Sequence, residues 1–88
     1  MEMQSSKPNP GSAPEREAQT QIDRLRQCFG FTAAEAALAL EIVKGDGRKA
    51  AAARRGITDG TARAHLLRIF DKAGVNRQAA LVRLLLQM

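Results

Sequence analysis

Positively charged side chains are concentrated in residues 48–72 of this chain, which read RKAAAARRGITDGTARAHLLRIFDK. Seven of these residues are lysine or arginine, and only two are acidic. Guanidinium and ammonium groups bind phosphate through their charge and their N–H donors, so this composition favours a polyanionic ligand. The alternative is a basic surface that serves only solubility. It is weaker because the charge coincides with a pattern of short helices.

Catalytic and metal-binding chemistry has little support in the sequence. His65 is the only histidine and Cys28 the only cysteine. A catalytic site needs a base, a nucleophile or a cluster of ligands, and these two residues do not supply such a set. We therefore expect a protein that is not an enzyme and that binds no metal ion, cofactor or small-molecule ligand. His65 is expected to be buried or to contact a phosphate.

The charge is divided unevenly along the 88 residues. From Lys44 onward there are ten lysines and arginines against three aspartates, a balance of +7, whereas residues 1–43 have a balance of −2. This asymmetry favours a nucleic-acid partner for the C-terminal half. No apolar run approaches the ~20 residues that span a membrane, and no signal peptide is visible. We expect a cytoplasmic, nucleoid-associated protein.

Helical periodicity predicts an all-α fold, since no alternating apolar and polar strand pattern occurs. Residues 1–11 contain Pro8, Pro10 and Gly11 and are predicted to be a disordered tail. Residues 12–30 are predicted to form a lead-in or linker helix over about 14–28, which begins with a capping box at Ser12 to Glu15. Its narrow apolar edge should pack on another helix or on a second chain. The edge consists of Ala18, Ile22, Leu25 and Phe29.

Residues 31–88 are predicted to form one domain of four helices. The first begins with a capping box, Thr32 to Glu35, and ends near Lys44, where Gly45 follows. The second covers residues 48–55 and is followed by a turn at Gly56. The third extends from Thr58 or Asp59 to Ala73, and the fourth from a cap at Asn76 to Met88.

The third of these helices has two distinct faces. At about 100° per residue, its apolar stripe faces the core and its opposite side is exposed. The expected core stripe consists of Ala62, Leu66, Ile69, Phe70 and Ala73. The opposite side consists of Gly60, Arg63, Ala64 and Leu67. Two helices joined by a tight turn are typical of a helix-turn-helix, whose second helix enters the major groove of DNA.

The fourth helix carries two apolar stripes, and a small monomer can bury only one of them. The wider stripe, suited to the core, consists of Leu81, Leu84, Leu85 and Met88. The second stripe consists of Ala79, Val82 and Leu86. An exposed apolar stripe of this kind predicts a homodimer interface, which is called the dimer seam below.

A gap-free order of residues resembles the LuxR/GerE-type DNA-binding domain of bacterial transcription regulators. The resemblance covers Phe31 to Met88, and TARAHLLRIFDKAGVNRQAALVRLL is similar to the proteobacterial members. It implies four helices, a recognition helix over about residues 59–73 and dimerisation through the last helix. The residues that carry it are Thr32, Glu35, Gly45, Gly56, Ile57, Thr61, His65, Ile69, Lys72, Gly74, Val75 and Arg77.

Two sets of DNA-contacting residues follow from this interpretation. Arg63, Ala64 and Leu67 are expected to read bases, with Arg63 as the only strong donor. The residues expected to hold phosphates are Arg48, Lys49, Thr61, Arg68 and Lys72. Two positions depart from the family pattern: Arg55 replaces a bulky aliphatic residue, and Leu67 stands where many members have a polar one.

The sequence therefore predicts a sequence-specific transcription regulator that binds double-stranded DNA as a homodimer. It is either a stand-alone regulator or the C-terminal part of a larger one. An alternative is a protein-interaction module that binds another regulator or RNA polymerase through the apolar Leu67 face. A sigma-factor-like region shares the motif but resembles these residues less.

Overall fold

The computed structural model describes residues 13–87 and shows an all-α chain in that range, as predicted. The tail predicted for residues 1–11 lies outside the described residues, as do Ser12 and Met88. The side chains of the predicted first capping box are likewise not described. The helices are α1 (Ala13–Phe29), α2 (Ala33–Val43), α3 (Arg48–Arg55), α4 (Asp59–Ala73) and α5 (Gln78–Leu86).

Helix α2 is the centre of the core and packs against each of the other four helices. Leu38 and Ile42 are fully buried, and so are Ala36 and Ala39 on the same helix. The predicted capping box is present, with Thr32 and Glu35 each accepting a backbone N–H from the other. Because α2 is apolar on more than one side, burial between neighbours is the arrangement that removes most of its apolar surface from water.

Helix α1 packs on α2 of the same chain, which is the first of the two arrangements left open by the sequence. Leu25 is buried, and Ile22 and Phe29 are partly buried against the core. The rings of Phe29 and Phe31 stack with their centroids 5.1 Å apart. Residues 16–21 are all exposed, including Ala18, so only the C-terminal half of the predicted apolar edge is covered.

The turn between α3 and α4 depends on Gly56. Gly56 has φ +70°, and the following Ile57 N–H donates to the Ala52 carbonyl at 3.0 Å. This left-handed position closes α3 and reverses the chain within three residues. Ala51 and Ala52 are buried, and their small side chains let α3 and α4 approach closely. The short loop thereby holds the start of α4 beside the end of α3.

The connection between α4 and α5 is confirmed at its start and differs from prediction at its end. Gly74 has φ +76°, and the Val75 N–H donates to the Phe70 carbonyl at 3.0 Å, as a Schellman turn requires. The predicted cap at Asn76 is wrong: the N-cap is Arg77, which makes no side-chain capping bond. The Leu81 N–H donates to the Arg77 carbonyl at 3.1 Å, so the helix begins one residue later than a cap at Asn76 would place it, and Leu81 and Leu85 are buried.

Gly56→Ala is expected to lower the free energy of unfolding by about 1–2 kcal/mol, because an L-residue is strained at a left-handed position. Gly60→Ala is the matched control. Gly60 has an ordinary helical backbone, and an added Cβ there would lie 4.0 Å from its nearest neighbour, the Thr58 hydroxyl. The control is expected to gain up to about 0.5 kcal/mol from helix propensity. Urea denaturation of both variants measures the difference, and equal stabilities would contradict the role of Gly56.

Candidate nucleic-acid interface

The outer face of α4 is exposed along its length. Arg63, Ala64 and Leu67 are exposed, and Leu67 is 62% exposed, although it is a large apolar residue. Ala62, Leu66 and Ile69, on the opposite side, are buried. The structure thus places the three residues predicted to read bases on one accessible helix face.

The first turn of α4 is fixed by two threonines. Thr58 is the N-cap, and its Oγ1 accepts the Thr61 N–H at 3.0 Å. The Thr58 hydroxyl also donates to Thr61 Oγ1 at 2.9 Å. Since Thr61 Oγ1 is the acceptor, its own hydroxyl hydrogen can point outward as a donor. This geometry is compatible with the phosphate contact predicted for Thr61.

Arg48 and Asp59 join the beginnings of α3 and α4. Arg48 Nε donates to Asp59 Oδ1 at 2.6 Å and Arg48 Nη2 donates to Asp59 Oδ2 at 2.9 Å, so the pair is bidentate. The hydrogen bond from Arg48 lowers the pKa of Asp59, with burial acting in the opposite direction and the charges of Lys49 and Arg63 lowering it further. A phosphate contact by Arg48 therefore competes with this internal carboxylate.

Two other predicted phosphate ligands, Lys49 and Arg68, are exposed to solvent. Lys49 follows Arg48 in the first turn of α3, and Arg68 follows Leu67 on α4. The influence of Lys49 and Arg63 on the pKa of Asp59 places their charges near the same carboxylate. Arg48, Lys49 and Arg63 thus share one region at the beginnings of α3 and α4, whereas Arg68 and Lys72 lie further along α4.

Lys72 has a buried partner that the sequence interpretation missed. Lys72 Nζ donates to Glu35 Oε1 at 2.7 Å, and Glu35 is only 3% exposed. Burial by itself raises the pKa of Glu35, but the bonds from Lys72 and from the Thr32 N–H outweigh it and lower the pKa below its usual value. The pair ties the end of α4 to the start of α2. The phosphate contact predicted for Lys72 competes with this ion pair.

A second ion-pair network holds α3 against the end of α2. Arg54 donates to the carboxylates of Glu41 and Asp46 and to the Glu41 carbonyl. Lys44 Nζ also lies 3.1 Å from Glu41 Oε1. Arg54 therefore has a local structural partner. The neighbouring Arg55 is exposed and lines a groove beside α1 and α2, apart from the cations around Asp59.

His65 is partly buried on α4. Its Nδ1 is buried and has no hydrogen-bond partner within residues 13–87. In the same range, no three or more His, Cys, Asp and Glu side chains are grouped as metal ligands would be. No helix in the described part of the chain is both long and apolar enough to cross a membrane.

The predicted dimer seam on α5 is only partly available. Ala79 is exposed and Leu86 is 67% exposed, whereas Val82 is half-buried against the core of its own chain. Leu86 also borders a groove formed with α1 and α2, next to Leu40 and Val43. The exposed apolar surface of α5 is therefore greatest at its C-terminal end.

Comparison with known protein families found no model that matches this chain, and comparisons with curated proteins and with solved structures found no significant match.

Proposed function

We propose that this chain is a LuxR/GerE-type DNA-binding domain that acts in bacterial transcription regulation. One observation carries the proposal. The exposed face of α4 presents Arg63 and Leu67, while the cations Arg48 and Lys49 stand at the adjacent beginning of α3. A helix with one donor-bearing face, flanked by positive charge, fits the major groove and its bordering phosphates.

Base recognition is assigned to the outer face of α4. Arg63 has the donor geometry to bind O6 and N7 of a guanine, the most frequent specific contact in the major groove. Ala64 and Leu67 are apolar and suit the methyl group of thymine. Sequence reading would therefore rest on one charged contact and two apolar contacts.

Backbone contacts are assigned to residues around this face. Lys49 and Arg68 are exposed cations, and Thr61 offers a hydroxyl at the first turn of α4. Arg48 and Lys72 would join them by exchanging their carboxylate partners for phosphate oxygens. Such contacts supply affinity and register but little sequence information.

Two copies would bind a two-fold operator as a homodimer. The seam is assigned to Ala79, Val82 and Leu86 on α5, of which Leu86 is the most exposed. Symmetric pairing of the last helix would place two α4 helices on half-sites about one DNA turn, roughly 34 Å, apart. A protein with this function would work in the cytoplasm, on the nucleoid.

Selection of bound sites from a random DNA pool, at low and at moderate salt, tests the proposal. We expect enrichment of a two-fold sequence and a steep loss of affinity as salt increases, because bound phosphates release counterions. Enrichment without symmetry would contradict the homodimer. No binding to duplex DNA at either salt concentration would contradict the proposed function.

Lys49→Ala is expected to weaken binding to specific and random duplexes alike. It should also reduce by about one the salt slope, which is the decrease in the logarithm of the binding constant per unit increase in the logarithm of the salt concentration. The reason is that an exposed lysine at the beginning of α3 contacts phosphate and not a base. Arg16→Ala, which removes the same charge from the exposed end of α1, is the control and should leave the slope unchanged. Fluorescence anisotropy over a salt series measures both. An unchanged slope for Lys49→Ala would remove this residue from the interface.

Val82→Glu combined with Leu86→Glu is expected to make the protein monomeric while it stays helical. Charge in an apolar seam carries a desolvation cost that an exposed helix face does not. Leu86→Glu alone distinguishes loss of the dimer from damage to the core, because Val82 is partly buried within its own chain and Leu86 is not. Sedimentation measures the outcome. A parent protein that is already monomeric at high micromolar concentration and on DNA would refute the seam.

A second candidate function is a protein-interaction module that binds another regulator or RNA polymerase. The 62% exposure of Leu67 on the outer face of α4 favours it. An apolar contact with a protein responds little to salt, whereas contact with DNA phosphates responds steeply. The salt series described for Lys49 therefore separates the two functions.

A further inference from the structure

A negative charge lies within the region of α3 and α4 that carries the cations. Asp59 is the first residue of α4, and its two carboxylate oxygens receive the two Arg48 donors at 2.6 and 2.9 Å. The side chains of Arg48 and Asp59 are each 37% exposed, so the pair is open to solvent and to a ligand. Lys49 and Arg63 act electrostatically on the same carboxylate.

The contact between Arg48 and Asp59 has the geometry of an arginine bound to phosphate. A guanidinium binds the paired oxygens of a carboxylate or of a phosphate through the same two parallel N–H bonds. While Asp59 accepts both bonds, these two donors of Arg48 are not available to an outside anion. The Asp59 charge also offsets part of the positive potential that draws a polyanion toward the beginnings of α3 and α4.

We propose that Asp59 is an internal competitor for the phosphate site at Arg48, an autoinhibitory contact that weakens binding of the chain to any DNA backbone. The inference rests on the proposed function. A DNA phosphate and the Asp59 carboxylate would compete for the same two Arg48 donors, so the parent makes this phosphate contact only in the minority of complexes in which Asp59 has been displaced. The effect is independent of base sequence, because both groups recognise only charge and oxygen geometry.

Asp59→Asn tests this contact, since asparagine has nearly the same shape but no charge. One additional phosphate contact has a salt slope of about 0.9, so affinity for a random-sequence duplex is expected to increase about five- to tenfold near 0.1 M salt. The salt slope is expected to steepen by about one. Binding of selected and random duplexes should strengthen by the same factor.

Asp71→Asn is the matched control, because it makes the same change of charge on the same helix. Asp71 is exposed and lies twelve residues further along α4, about 18 Å away at 1.5 Å per residue. The Asp71 charge lies too far from Arg48 to act on that site, since 18 Å exceeds the Debye length at this salt concentration, so only a general charge effect of less than about twofold is expected. Asp59→Glu keeps the charge and is expected to bind within about twofold of the parent.

Arg48→Ala combined with Asp59→Asn shows whether Asp59 acts through Arg48. The gain of Asp59→Asn over Asp71→Asn is expected to shrink to about twofold in the Arg48→Ala background, where only the general charge effect remains. Circular dichroism verifies that each variant keeps the parent's helical content at the assay temperature.

The outcomes of this experiment distinguish the inference from the proposed function. If the parent binds duplex DNA but Asp59→Asn binds no better than Asp71→Asn, the inference fails and the proposed function stands. The inference also fails if the full gain persists without Arg48. If Asp59→Asn binds duplex DNA and the parent does not, the inference is supported. If no variant binds duplex DNA at low salt, both are overturned.

Discussion

Replacing Lys72 with methionine is expected to lower the free energy of unfolding by about 2–3 kcal/mol, the range for a charged hydrogen bond lost to a buried group. The side chain of Glu35 is 4% exposed, and the side chain of Lys72 is 32% exposed. Within residues 13–87, Lys72 is the only cationic hydrogen-bond partner of Glu35. Without the ammonium group, Glu35 must either keep an uncompensated charge in the core or take up a proton. Urea denaturation measures the loss.

Arg68→Met is the control for Lys72→Met, because it removes a cation from the same helix at an exposed position. Its effect on stability is expected to stay within about 0.5 kcal/mol. Glu35→Gln combined with Lys72→Met should recover part of the loss, since the neutral amide no longer needs a cation. A Lys72→Met protein as stable as the parent would show that the pair does not hold α4 against α2.

The same pair determines part of the acid sensitivity of the parent. The pKa of Glu35 is lower in the folded chain than its unfolded value of 4.5. The stabilisation is therefore fully present well above pH 4.5 and is lost as the pH falls from that value through the lower folded pKa. Thermal unfolding between neutral pH and pH 3 is expected to show a smaller dependence on pH in Glu35→Gln than in the parent.

Arg63→Ala is expected to weaken binding to a selected operator by about 1–3 kcal/mol and to relax the preference at one base pair per half-site. Arg63 is the one residue with strong donors on the exposed face formed with Ala64 and Leu67. Its loss removes a base contact, so random DNA should lose much less affinity than the operator. Site selection with the variant protein and anisotropy with both duplexes measure these effects.

Arg68→Ala is the control for Arg63→Ala, since Arg68 is also an exposed arginine of α4 but lies beside the proposed base-reading face. It should weaken operator and random duplexes equally and lower the salt slope by about one. If Arg63→Ala showed this same uniform loss, Arg63 would be a backbone ligand. Base recognition would then depend on Ala64 and Leu67 alone.

Local signals in the sequence predicted most helix boundaries correctly. Thr32 and Glu35 form the capping box of α2, Gly56 ends α3, and Gly74 ends α4, because each of these contacts lies within one turn of chain. Hydrophobic spacing likewise identified the buried and exposed faces of α4. The exception was Asn76: the N-cap is Arg77, whose carbonyl accepts the Leu81 N–H, and α5 starts at Gln78.

By itself, the sequence determined the helical architecture, the exposed face of α4 and the concentration of positive charge around it. The tertiary structure alone decided which cations have a carboxylate partner: Lys72 meets Glu35 across 37 residues, and Arg48 meets Asp59 across 11. Helical periodicity relates residues three or four apart, whereas these contacts form only when α2 and α4, or α3 and α4, pack together. The availability of each cation to DNA is therefore a property of the packed helices.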